Sequence, residues 1–282
     1  MKRYALLALS LVLALPLLAA NPNRDLLVRT SWLEARLRRV AIVHVAASRE
    51  EYDAGHIPGA RLLLWTDFVE TEGKVPNEMP TLGKLVGTFE QLGIGNRGKI
   101  VLYGDDLLKT ARAFVTLDSL GHGSRLALLD GGLAKWRAEG RALATVPVVP
   151  KPASFRARPH PGSLVRLKPL RAILGHAEAC RRLALVDARP AEQFQKGRIG
   201  DAVNIFWRAN LTEEPHPVLR SPDELERLYQ GAHVTPDKTV ITYCRTGVQA
   251  SLTFFILRYL GYDDVALYDG SFSEWSAAET AP

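Results

Sequence analysis

Cysteine is scarce in this chain: 282 residues carry two, Cys180 and Cys244. A small secreted disulfide scaffold uses more. A structural zinc site needs paired Cys or His ligands at spacings that are missing here. One bridge between the two cysteines stays open, and it would silence either as a nucleophile. Dense basic runs are also missing. The net charge is +6, but the arginines are scattered, so the footprint of a nucleic-acid binder is absent and no nucleic-acid partner is expected. Neither a glycine-rich phosphate fingerprint nor a Ser-His-Asp set is present, which leaves hydride and acyl transfer unsupported. Disorder is not expected either, because 47% of residues are hydrophobic against 23% charged.

Long apolar runs are confined to the N-terminus. Lys2 and Arg3 precede a run from Tyr4 to Ala20, broken by Ser10 and Pro16 and followed by Asn21, Pro22 and Asn23. That is the three-part layout of a secretory signal over residues 1–20, with Ala19 and Ala20 as the cleavage site and Leu18 bulkier than ideal before them. An uncleaved anchor is the alternative, for which the run is somewhat short. The remaining chain is expected to be periplasmic or secreted, with no membrane contact after cleavage.

What is abundant is internal similarity. Ala41–Ala46 and Arg49–Ala60 in the first half parallel Ala184–Arg189 and Ala191–Ala202 in the second. Gly55-His56-Ile57 aligns with Gly197-Arg198-Ile199, Ile100–Tyr103 with Val240–Tyr243, and Leu120-Gly121 with Leu260-Gly261. Leu129–Gly132 with Trp136 aligns with Tyr268–Ser271 with Trp275. The copies stand about 140 residues apart, too far for a solenoid repeat and right for a duplicated domain. Between them, Val146–Ser163 holds five prolines (Pro147, Pro150, Pro152, Pro159, Pro161), which resist helix and central strand. The expected organisation is one domain over 25–145, an extended linker over 146–163, and a second domain over 164–282.

Each copy reads in the same coarse order. A buried strand (Val40–Val45; Leu183–Asp187) is followed by an amphipathic segment, a second strand (Lys99–Tyr103; Lys238–Tyr243), a helix, and a third strand ending at Asp-Gly (Arg125–Leu129; Asp264–Tyr268). The helix is clearest over Ala250–Leu260, where Leu252, Phe255, Ile256 and Tyr259 share a face and Gly261 supplies the stop. Alternating strands and helices predict an α/β fold with a parallel sheet in each domain.

Ligands of such sheets bind beyond the carboxyl ends of the strands. Cys244 lies there, between its strand and its helix, in the loop Cys244-Arg245-Thr246-Gly247-Val248-Gln249. Gly247 permits a turn whose N–H groups converge, and the helix adds its positive end. A sulfur at that focus, with Arg245 beside it, is expected to have a lowered pKa and to serve as a thiolate nucleophile. Cys180, inside an expected helical stretch over Leu170–Arg182, reads as structural.

These residues resemble the tandem-domain rhodaneses, the thiosulfate and 3-mercaptopyruvate sulfurtransferases. The resemblance runs from about residue 25 to the C-terminus. It is strongest at Leu185–Arg189, Gly197–Ile199, Asn210–Glu213, Cys244–Val248 and Val265–Trp275. It implies two tandem rhodanese-like domains, a persulfide formed on Cys244, and sulfur moved from thiosulfate to cyanide or a thiol without metal or organic cofactor. It places Arg189, Arg245, Thr246, Gly247 and Val248 at the substrate and Asp187 in support. Arg245 matches the thiosulfate type; Thr246 departs from it, standing where the best-known members have Lys. The partners implied are a small-molecule donor and acceptor, and a monomer is expected. In the first copy Gly104, followed by Asp105 and Asp106, stands in the place of Cys244, and His44 replaces Asp187, so that domain is expected to be catalytically silent. His56 reads as structural. Mercaptopyruvate transfer and a non-enzymatic persulfide carrier are the alternatives. Cys-type phosphatase or arsenate reductase activity fits worse, since the arginine six positions after the cysteine is Ala250 here.

Overall fold

The computed structural model describes residues 23–279 except 74 and 214; the expected signal segment, residues 1–20, lies outside them. The first domain holds strands β1 (Leu27–Val28), β2 (Ala41–Ala46), β3 (Arg61–Leu64), β4 (Glu70–Glu72), β5 (Val75–Glu78), β6 (Ile100–Tyr103) and β7 (Leu126–Leu129). The second holds β8 (Leu164–Val165), β9 (Leu183–Asp187), β10 (Val203–Asn204), β11 (Thr239–Tyr243) and β12 (Val265–Tyr268). The sheets run β1-β7-β6-β2-β3 and β8-β12-β11-β9-β10, the same order in each copy, and every pairing within them is parallel. Both carry helices on their flanks, so the expected pair of α/β domains is what forms. The central strands are buried on both faces, as parallel strands under helices must be, and their sequences are accordingly almost unbroken apolar runs. The two-residue strands β1, β8 and β10 are too short to leave a periodic pattern.

Two sequence expectations change. The helix of the second domain spans Val248–Tyr259 and is buried on nearly every face rather than one. Its other side packs against Leu107–Leu117, the equivalent helix of the first domain, with Phe114 edge-on to Phe255 at 4.9 Å between ring centroids. A single apolar cluster therefore runs through both domains, from Leu102 and Phe114 to Val240 and Phe255. The stretch Leu170–Arg182 is two helices, Leu167–Leu174 and Ala177–Arg181, because Gly175 ends the first. Cys180 is half-buried with its Sγ toward the carbonyls of Ile173 and Leu174, and both cysteines are free thiols.

Residues Val146–Ser163 contain no helix or strand but are strapped to the first domain. Phe155 is buried against Phe89 and His122, and Arg158 and His160 donate backbone bonds to Leu120 and Ser119. Among the described residues no helix is long and apolar enough to cross a membrane.

His44, on the interior strand β2, is fully buried, and neither ring nitrogen has a hydrogen-bond partner among the described residues. Burial, with His56 and then Arg137 nearby, pulls its pKa from 6.5 to about 4. Above pH 6.5 the ring is neutral in folded and unfolded chains alike. Below that the unfolded chain takes the proton first, so stability falls from pH 6.5 to about 4, by up to about 3 kcal/mol. Urea unfolding at pH 7.5 and 4.5 is expected to show a smaller acid loss in His44→Leu than in the unaltered protein. Identical losses would refute this account.

Candidate active site

Strand β11 delivers Cys244 at its carboxyl end, and the chain turns at once into the helix from Val248. The turn needs Gly247, whose φ of +79° is left-handed and whose added Cβ would lie 2.9 Å from the Asp269 carbonyl oxygen. With the loop so folded, the backbone N–H groups of Ala250, Thr246, Gln249 and Gly247 all donate to Cys244 Sγ. Neighbouring chain fixes the loop from outside. The Ser271 hydroxyl accepts from Cys244 N at 3.2 Å, while Phe272 N and Ser273 N donate to the carbonyls of Cys244 and Arg245 at 3.0 Å each. The expected convergence of N–H groups is present.

The expected lowered pKa is not. Cys244 is 1% exposed, and burial pushes its thiol above the ordinary value despite the pull of the four N–H groups. The donors and Arg245 are visible in the sequence; the cover is not. Arg245 itself is exposed, its charge facing solvent.

The cover comes from the other domain. The antiparallel hairpin β4–β5 of the first domain reaches across so that Asn77 Nδ2 donates to Thr246 Oγ1 at 3.1 Å and Met79 N to Asp269 Oδ2 at 3.0 Å. Arg112, on the first-domain helix, pairs with Asp269 at 2.5 Å with both side chains fully buried, and its Nη2 also donates to the Asn77 carbonyl at 2.8 Å. Arg166 joins this group by pairing with Glu78 and lies 3.6 Å from Asp269.

The proposed residues 244–248 thus form one unit. Asp187 and Arg189 form a second at the end of the adjacent strand β9, where Asp187 pairs in register with Tyr243. Arg189 donates through Nε and Nη2 to Asp187 and through Nη2 to the Gly197 carbonyl, and its guanidinium stacks 3.9 Å from the Phe272 ring. Nη1 is its one nitrogen without a protein hydrogen bond among the described residues. Arg112, Asn77, Asp269 and Ser271 were not foreseen. Asp269 and Ser271 stand in the repeated Asp-Gly motif, which carried a usable signal; Asn77 and Arg112 lie far away in sequence and carried none. Among the described residues no cluster of three or more His, Cys, Asp and Glu side chains could hold a metal ion.

The equivalent place in the first domain is built to another plan. Gly104 cannot be enlarged, because an added Cβ would lie 2.3 Å from the Val45 carbonyl oxygen. The N–H groups of Leu108 and Lys109 are taken by the Asp106 carboxylate, at 2.9 and 3.2 Å, so an acid of the chain itself fills the anion position. Beside it lies a cavity of about 480 Å³, walled on the far side by Trp207, Leu211 and Pro215–Leu219 of the second domain. Each domain therefore covers the loop of the other, tightly at Cys244 and loosely at Gly104.

Residues 30–139 and 170–278 each match the family model of the rhodanese-like domain. The chain is 30% identical over 273 residues to a Mycobacterium bovis protein with a provisional thiosulfate sulfurtransferase name, covering 92% of this chain and 97% of that one. It is 33% identical over 276 residues to the sulfur carrier protein TtuD of Thermus thermophilus, covering 89% and 93%. Among solved structures it superposes on the 3-mercaptopyruvate sulfurtransferase SseA of Escherichia coli with a TM-score of 0.74 and 25% identity, over 88% of this chain and 99% of that one.

Proposed function

The chain belongs to the rhodanese family of sulfurtransferases, and from that premise we propose that it moves the outer sulfur of thiosulfate to cyanide or a thiol through a persulfide on Cys244. The observation that carries this is the ring of four N–H donors around one buried sulfur, present in one copy of the domain and replaced by Asp106 in the other. The hairpin must lift to admit the donor, and water enters with it, which relieves the burial that holds the thiol protonated. The Cys244 thiolate then attacks the outer sulfur of thiosulfate. A new S–S bond forms, the old one breaks, and sulfite leaves with its electron pair. The acceptor next attacks the outer persulfide sulfur, and Cys244 departs as the thiolate, held by the loop N–H groups as an oxyanion would be. Nothing in these steps calls for a metal or organic cofactor.

Arg245, at the solvent edge, and Arg189, through Nη1, are the cations we assign to the approaching dianion, with Thr246, Gly247 and Val248 shaping the loop and Asp187 orienting Arg189. The first domain is catalytically silent and covers the site, with residues 146–163 as the linker, and a single chain suffices as the working unit. We assign this activity to the periplasm or the outside of the cell, a reading supported by the signal-like sequence of residues 1–20.

Mercaptopyruvate is the second donor to test, because the superposed SseA acts in that class and Thr246 removes a charge the thiosulfate type carries. Steady-state kinetics with both donors and several acceptors, with mass spectrometry of Cys244 for an added sulfur, decides between them. Thiosulfate is expected to give the higher kcat/KM. A persulfide that forms without turnover of either donor would instead make the chain a carrier, the role in the name of TtuD. Arg245→Gly is expected to shift the thiosulfate-to-mercaptopyruvate kcat/KM ratio against thiosulfate by about tenfold, the worth of one partly solvated charge contact. An unchanged ratio would remove Arg245 as the selector.

A further inference from the structure

Among the described residues Arg112 is the largest charged side chain that is fully buried, and it is only half used. Its Nη2 meets Asp269 Oδ1 and the Asn77 carbonyl, while Nε and Nη1 have no hydrogen-bond partner among the described residues. A guanidinium offers five N–H donors in a rigid fork, and charged donors left unbonded away from water are costly. That idle edge lies against the Cys244 loop: a Cβ placed on Gly247 would be 3.4 Å from Arg112 Nη1. Gly247 is itself one of the four residues whose N–H reaches Cys244 Sγ.

The duplication supplies an internal control. Counting from the loop position, Arg112 stands eight residues after Gly104, and its counterpart eight residues after Cys244 is Leu252. Each of these helices packs against the other domain. The buried cation is therefore present on the side that faces a cysteine and absent on the side that faces Gly104. An arginine serving only to clamp two domains would have no reason to follow the cysteine across the interface.

We propose that Arg112 binds the anionic head of the sulfur donor, a small sulfonate or carboxylate, so that the domain without the nucleophile supplies a substrate-binding residue. This rests on the assignment of Cys244 as the sulfur-carrying residue. When the hairpin lifts, the Nε–Nη1 edge, which bonds nothing in the closed arrangement, is opened to the anion beside the N–H ring. Asp269 keeps the guanidinium aimed, holding it by Nη2 alone.

Alkylation tests this without requiring sulfur transfer. In a Cys180→Ser background, the rates at which iodoacetate and iodoacetamide label Cys244 are read by peptide mass spectrometry. The first reagent carries a carboxylate and the second is neutral. Arg112→Met is expected to lower the iodoacetate-to-iodoacetamide ratio about tenfold, one lost charge-assisted contact, and Arg112→Lys to keep it within about threefold. The KM for thiosulfate is expected to rise in Arg112→Met as well. Should Arg112→Met fail to fold with Asp269 left unpaired, the double variant Arg112→Met/Asp269→Asn removes both buried charges together. An unaltered labelling ratio in either folded variant overturns the proposal. Absence of a persulfide in the unaltered protein, with the ratio still responding to Arg112, would instead overturn the Cys244 assignment alone.

Discussion

Cys244→Ser is expected to lose sulfur transfer by at least about a thousandfold while the fold stands. The two side chains differ by one atom, and the site treats them very differently. Serine fits the volume, and its oxygen accepts from the N–H groups of Ala250, Thr246, Gln249 and Gly247 at least as well as sulfur does. Stability should therefore stay within about 1 kcal/mol of the unaltered protein. A hydroxyl at neutral pH supplies almost no anion, and its oxygen cannot carry the sulfur as a persulfide. Cys180 offers no substitute, being the other thiol in the chain and seated on a separate short helix against the carbonyls of Ile173 and Leu174. Turnover of thiosulfate with cyanide, measured beside a thermal melt, reads both halves. Transfer activity retained in a folded serine variant would sink the persulfide mechanism.

How much of this site was legible beforehand depends on how locally each part is encoded. The loop is local: strand, cysteine, left-handed glycine and helix follow one another within a dozen residues, and the duplication marks which of them belong to the fold and which to the chemistry. The same alignment exposed Gly104, and the structure adds the reason it cannot vary, a carbonyl 2.3 Å from where a side chain would begin. The α/β architecture was legible for a similar reason, since buried parallel strands spell themselves as apolar runs. The cover over Cys244 is not local. The hairpin β4–β5 is a short polar stretch nearly 170 positions from the loop it closes, and nothing in its composition names its target. That omission reversed the expected direction of the cysteine pKa, because donors were visible in the sequence and burial was not. Arg112 was hidden differently, as one of many scattered arginines whose partner, Asp269, lies in the other domain.

Arg189→Ala is expected to destabilise the second domain by about 3–5 kcal/mol, a larger effect than its assigned contact with the donor would produce. Asp187 is completely buried at the end of β9, and three of its four bonds from Arg189 come from the guanidinium: two to Nε and one to Nη2, at 3.0, 2.9 and 2.5 Å. Truncation removes those three bonds from a buried carboxylate, leaving it the Arg189 backbone N–H at 2.9 Å and the Tyr243 phenol, and also strips the Gly197 carbonyl and the face of Phe272 of their partner. In a chain of this size the loss corresponds to a melting temperature about 10 °C lower. Removing the charge from both sides separates structure from substrate. Asp187→Asn with Arg189→Met leaves no buried ion, so it should recover part of the stability lost in the single variant, a coupling that a double-mutant cycle measures. Whatever rise in the KM for thiosulfate persists in that stabilised pair belongs to Nη1 and the donor. An Ala variant that melts within about 1 kcal/mol of the unaltered protein would show that the Asp187–Arg189 pair does not hold the end of β9. The resemblance-based role of Arg189 at the substrate would then be the whole of its function.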